Sequence, residues 1–193
     1  MSTTRDAGLF LLLSLLWGTS FMTIKLGLSF LPPVLFAAMR YDVAGVLLLG
    51  YVATTPGEWR PQSQADWLTV FIGATLIIAL YNALLFIGQQ GVTSGVGAIL
   101  IGMNPILATG FSRLLLPTER LGGIETLGLL LGFLGVGLVA RPASTGWLVA
   151  DLLAPGLVLL AAVCVALGSV LVQRVDSDLG TEGMVAWSTA IGA

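Results

Sequence analysis

The chain has 193 residues, 56% of them hydrophobic and only 9% charged, with a net charge of −2 and no histidine. An ordinary soluble domain carries roughly 25% charged residues, so a mean hydropathy of +0.99 excludes a water-soluble fold and points to an integral membrane protein. Eight scattered basic residues form no patch for a nucleic acid. The single cysteine, Cys164, rules out an intrachain disulfide, and the missing histidine removes the commonest metal ligand and general base. No metal site and no cofactor is expected.

A short polar tail leads into a first apolar run over residues 8–28. Arg5 precedes it as a basic residue precedes a signal peptide, but the run has the length of a full span and lacks a small-x-small cleavage site, so it reads as a retained helix. Further runs cover residues 33–53, 67–87, 96–116, 121–140 and 152–172. Each holds about 20 residues, which at 1.5 Å per residue matches a hydrocarbon core of roughly 30 Å. The longest connection, TTPGEWRPQSQAD, is polar, and Trp59 and Trp67 stand where an aromatic belt would lie. The last run begins near Gly183 and stops at Ala193; its helix reaches only about 16 Å. The chain is therefore expected to be a fragment ending inside a seventh span, with a re-entrant half-helix as the alternative.

The stretch over residues 91–121 is apolar enough to span, yet holds Asn104-Pro105 at its middle and Arg113, Glu119 and Arg120 near its end. Proline inside a helix removes a hydrogen bond, a cost of about 3 kcal/mol in a soluble helix, but neighbouring helices compensate it in a bilayer. A kinked span is expected, with Asn104 at the bend facing a cavity. Lys and Arg placement sets the orientation. With the N-terminus cytoplasmic, Arg5, Arg60, Arg113, Arg120 and Arg174 lie inside, against Lys25 and Arg141 outside, and Arg40 falls within the second span.

An internal echo links Trp17-Gly18-Thr19-Ser20-Phe21-Met22-Thr23-Ile24-Lys25 to Ala166-Leu167-Gly168-Ser169-Val170-Leu171-Val172-Gln173-Arg174. A repeat unit of five spans is odd, so a second copy would enter the bilayer in the opposite sense, the inverted repeat common among transporters. At this point the sequence resembles the EamA family of the drug/metabolite transporter superfamily. The resemblance rests on WGTSFMTIK, the arginine of PPVLFAAMRYDVAG, the proline of MNPILATGFSRLLLPTERL with Glu119-Arg120, and the glycine-rich GLLLGFLGVGLVA. It implies ten spans, cytoplasmic termini, a cavity between two repeats, and export or exchange of small metabolites such as amino acids.

The expected fold is thus an all-α polytopic membrane helix bundle: one five-span repeat over residues 8–140 and an incomplete, inverted second repeat over 150–193. The expected function is secondary-active transport by alternating access, in a multi-pass protein of the cell membrane. The alternative is a truncated, non-transporting protein or a half-transporter needing a second copy or a missing half. An intramembrane enzyme is disfavoured, because no base stands beside a nucleophile and no carboxylate pair is spaced for a metal.

Ionisable groups inside a span are functional-site candidates. Arg40 and Asp42 stand two residues apart, on different helix faces, so each needs another partner; Lys25 is the candidate for Asp42. Arg40 or Lys25 would attract an anionic substrate group, or the charges would tie the first two spans together. Asp42 is the candidate proton carrier. Tyr81, Asn82, Gln89 and Gln90 either bond between helices or line a cavity, the helix contact being favoured. Trp17 lies mid-span as packing, lipid contact or an aromatic platform. Thr19, Ser20 and Thr23 back-bond to their own helix or face substrate. The substrate-binding set is then Trp17, Thr19, Lys25, Arg40, Tyr81, Asn82 and Asn104. Gly128 and Gly132 form a G-x-x-x-G for close packing within the protomer.

Overall fold

The computed structural model describes residues 3–55, 57–115, 122–139 and 149–193, and all their regular structure is helical. The helices are α1 (Thr3–Gly27), α2 (Pro33–Thr54), α3 (Gln64–Gln89), α4 (Ser94–Leu115), α5 (Gly123–Val139), α6 (Val149–Arg174) and α7 (Thr181–Gly192). Five of them, α1 to α4 and α6, are long and apolar enough to cross a membrane. The protein is a multi-pass helical membrane bundle. Glu119, Arg120 and Arg141 lie outside the described residues.

Local chemistry explains the helix starts. Pro33 opens α2, where its missing N–H costs nothing and its fixed φ is already helical. Ser63 and Asp66 form a capping box at the start of α3, each side chain bonding the other's backbone N–H. Thr93 caps α4 by accepting from the Val96 N–H at 3.3 Å.

Two spans are irregular. In α3 the segment Gly73–Leu80 is a π-helix, a geometry usually confined to a single turn and often found at functional sites. Polar side chains serve the carbonyls near its two ends. Ser188 of α7 donates to the Val70 carbonyl at 3.1 Å, and the Asn82 amide donates to the Ile78 carbonyl at 2.7 Å. In α4 the helix stops at Ile101 and resumes at Asn104. The Met103 N–H reaches the Leu100 carbonyl at 3.2 Å in a tightened turn. The expected smooth kink is therefore a two-residue interruption at Gly102 and Met103. Pro105 stands in the first turn of the new segment, where its N–H would have had no partner anyway.

Helix α6 is the hub: it packs along α3 and against both halves of α4, while α7 lies along the π segment and against α2. At Gly88 an added Cβ would sit 2.7 Å from Val158 Cγ2 and 2.9 Å from the Ala154 carbonyl oxygen. At Gly45 it would sit 2.8 Å from the Ala190 Cα. These crossings are close because no side chain intervenes. Gly88 beside Val158 and Ile77 beside Gly168 make α6 antiparallel to α3, and Val70 beside Ser188 and Ala74 beside Gly192 make α7 parallel to it. The C-terminal end of α1 meets the C-terminal end of α3, so α1 and α6 cross in opposite senses. The buried core gathers Leu85, Phe86, Leu100, Val158 and Ala161 with Ile24 and Ala37.

At the other membrane face the α2–α3 connection is tied to the α6–α7 connection. The Asp66 carboxylate accepts from the Gln62 and Ser63 N–H groups at 3.0 Å each and from the Ser177 hydroxyl at 2.7 Å. The Gly180 N–H donates to the Glu58 carbonyl at 3.2 Å, and Trp187 Nε1 donates to the Trp59 carbonyl at 2.9 Å.

Candidate functional site

A groove of about 400 Å³ opens between α1 and α2, lined by Trp17, Thr19, Ser20, Thr23, Phe36 and Arg40 among others. Two of its hydroxyls are already engaged. Thr19 donates to the Leu15 carbonyl at 2.8 Å and Thr23 to the Thr19 carbonyl at 2.9 Å. Back-bonding to the preceding turn costs little in a span, where no water competes. The chemistry left for a ligand is therefore the Arg40 guanidinium, the Ser20 hydroxyl beside it and the Trp17 indole. Arg40 lies 3.4 Å from Ser20 Oγ and 5.7 Å from the centroid of the Tyr41 ring, and it forms no ion pair among the described residues. Trp17 is 73% exposed.

Arg40 is the eighth residue of the helix that begins at Pro33, hence about 10 Å along a span that crosses a core of roughly 30 Å. A guanidinium at that depth turns toward a bundle interior or a water-filled cavity rather than toward lipid tails.

A smaller cavity of about 160 Å³ lies between α2, α3 and the end of α7, with Tyr41, Asn82, Ile78 and Gly192 on its walls. Arg40 and Tyr41 are consecutive, so the two openings flank one turn of α2. Tyr81 packs half-buried against the core and lies within electrostatic reach of both Arg40 and Tyr41.

Of the residues singled out from the sequence, Trp17, Thr19 and Arg40 share the groove, and Asn82 lines the adjoining cavity with Tyr81 nearby. Three are placed elsewhere. The Lys25 ammonium does not meet Asp42: it donates to the Gln89 carbonyl at 2.7 Å, to the Gln90 carbonyl at 3.4 Å and to the Val92 carbonyl. A cation at a helix C-terminus satisfies carbonyls that have no intrahelical donor, so the ammonium is spent on the end of α3 and on the connection that leads to α4. Asp42 is exposed on α2 and lines neither opening. Asn104 begins the second half of α4, its Oδ1 enclosed with no hydrogen-bond donor among the described residues, apart from both openings.

The expected interhelical bonds of the third span are also different. Asn82 bonds its own helix, and the fully buried Gln89 amide finds no partner among the described residues. Gly132 meets Ile106 of α4, as close packing within the protomer requires, whereas Gly128 has no neighbour within 4 Å among the described residues. Sequence reasoning passed over Phe36 and Tyr41. Tyr41 carried a usable signal, being an aromatic adjacent to an intramembrane arginine. Phe36 carried none, since an apolar residue in an apolar helix does not announce the face it occupies.

Residues 6–141 match the EamA-like transporter family. Over 192 residues the chain is 31% identical to the uncharacterized transporter YvbV of Bacillus subtilis, covering 98% of this chain and 61% of that protein. It is 30% identical to the uncharacterized transporter sll0355 of Synechocystis, covering 92% of this chain and 57% of the relative. It is 28% identical to the uncharacterized inner membrane transporter YedA of Escherichia coli K12, covering 87% and 53%. The chain thus spans little more than half the length of these relatives. No solved structure matches it.

Proposed function

The chain belongs to the EamA-like transporter family, and on that footing we propose that it forms the first repeat, and the start of an inverted second repeat, of a secondary-active transporter for small metabolites bearing an acidic group, such as amino acids. Export or exchange proceeds by alternating access around the cavity onto which the α1–α2 groove opens. Arg40 holds the acidic group, Trp17 offers its indole to the apolar part of the substrate, and Tyr41 with Asn82 borders the path beyond. The N-terminus is cytoplasmic in the cell membrane, in keeping with the Lys and Arg distribution.

The observation that carries this reading is Arg40 itself, an exposed guanidinium deep in a span with no carboxylate partner among the described residues. Such a charge is costly in a membrane and is retained where it meets a ligand or a polar pathway. Arg40→Gln in the full-length protein abolishes transport while expression and membrane insertion persist. Transport at the parent rate by a correctly inserted Arg40→Gln protein would remove the proposal. A second reading, a half-transporter completed by further helices, is favoured by α1, which is exposed along almost its whole length. Cysteine cross-linking from position 17 to a co-expressed second copy separates the two.

A further inference from the structure

A second groove, far from Arg40, sits where the bundle leaves the bilayer. It has a volume of about 450 Å³ and is lined by Leu49, Trp59, Arg60, Pro61, Trp67 and Trp187. Its walls come from the end of α2, the connection before α3, the first turn of α3, and α7. The helices bracketing that connection stop at Thr54 and restart at Gln64, so the groove runs from Arg60 at headgroup depth down to Leu49 at the depth of the first acyl carbons. The indoles form a fixed wall. Trp187 stacks on Trp59 at 6.3 Å between centroids, meets Trp67 edge-on at 5.8 Å, and is pinned by its bond to the Trp59 carbonyl.

Arg60 stands at the rim with its guanidinium 4.7 Å from the centroid of the Trp59 ring. It forms no ion pair among the described residues. Asp66, the carboxylate in the first turn of α3, is committed to three other donors. A stacked guanidinium keeps its in-plane N–H donors free, and these match phosphate oxygens in pairs. The α2–α3 and α6–α7 connections and the first turn of α7 also carry Glu58, Asp176, Asp178 and Glu182, so the match is a local one: a guanidinium in no ion pair among the described residues, above an apolar wall, complements a molecule with an anionic head and an apolar tail.

We propose that this groove binds an anionic phospholipid, its phosphate on Arg60 and its glycerol and upper acyl chain against Trp59, Trp67, Trp187 and Leu49. One basic residue at a membrane surface favours an anionic over a zwitterionic lipid by about fivefold.

The full chain is reconstituted as a Trp17→Phe, Trp147→Phe variant, which leaves Trp59, Trp67 and Trp187 as reporters. Vesicles of phosphatidylcholine carry, at matched mole fraction, either brominated phosphatidylglycerol or brominated phosphatidylcholine. Phosphatidylglycerol is expected to half-quench the indoles at about one fifth of the mole fraction that phosphatidylcholine needs, and Arg60→Gln is expected to equalise the two. Arg174→Gln, at the same membrane face but outside the groove, retains the preference. Equal quenching in the parent, a preference surviving Arg60→Gln, or one lost equally with Arg174→Gln would each overturn the site. The last of these assigns the effect to diffuse surface charge.

Discussion

Helices α1 and α6 carry echoing sequences, Trp17 to Lys25 and Ala166 to Arg174, yet are held in opposite ways. In α6 the side chains of Val158, Ala161, Ala162 and Ala166 are wholly buried, and Gly168 lies against Leu76 and Ile77. In α1 Phe10, Leu15 and Trp17 are 70%, 67% and 73% exposed, and within the echo only Ile24 is buried. The difference lies in side-chain size. Between membrane helices, association depends on close packing rather than on escape from water, so a face of Ala, Val and Gly lets backbones approach while a face of Leu, Phe and Trp holds them apart. A pattern of spacing is shared by the two helices; the volumes that decide packing are not.

That contrast can be broken most severely at a glycine. Gly88→Leu must force α3 from α6 at the Ala154 carbonyl and the Val158 side chain, costing on the order of 1–3 kcal/mol. Gly18→Leu on α1 has nothing within 4 Å and shifts stability by less than about 0.5 kcal/mol. Detergent unfolding of the two variants checks this, and equal losses would dissolve the distinction between packed and open flanks.

The α1 helix is attached mainly at its end. Lys25→Met leaves the Gln89, Gln90 and Val92 carbonyls without their cation, a loss of roughly 1.5–3 kcal/mol for hydrogen bonds to a charged group. The expected signature is local: a cysteine at position 24, buried in the parent, becomes reactive to maleimide while one at position 161 does not. Uniform reactivity at both would mean that Lys25 supports the whole bundle rather than α1.

On the packed flank, Ser188→Ala removes the hydroxyl that bridges α7 to the Val70 carbonyl beside the π segment. Interhelical bonds of this kind are worth about 0.6 kcal/mol on average, so a small fall in unfolding midpoint is expected. A fall as large as that of Gly88→Leu would make the π segment a keystone of the fold. The smallest effect is expected at Asp42, exposed and outside both openings. Asp42→Asn in the full-length protein leaves the transport rate and its pH profile unchanged; a flattened pH profile would return Asp42 to proton coupling.

The legibility of the candidate site followed the same physical division. Arg40 stood out because charge deep in an apolar run is costly enough to need a reason, and the structure puts it in an open groove with Trp17 and Thr19. Lys25 stood out for the same reason and proved to be a helix cap, because carbonyls left over at the end of α3 are invisible in a list of side chains. Asn82 was readable as polar, but that its amide serves the Ile78 carbonyl at the end of a π segment was not, because no periodicity announced that segment.

What the residue order determined alone is the solvent and the spans. Burying backbone polar groups in hydrocarbon demands helices of a set length, and five of the six apolar runs between residue 8 and residue 172 coincide, almost at their bounds, with helices long enough to span. What only the tertiary structure decided is where each helix turns its faces: that α6 is the hub, that α7 runs along the π segment, that α4 breaks before Pro105 rather than bending at it. The physical reason is that apolarity fixes depth in a membrane, whereas rotation and neighbours depend on volumes and stray carbonyls contributed by segments far apart in sequence.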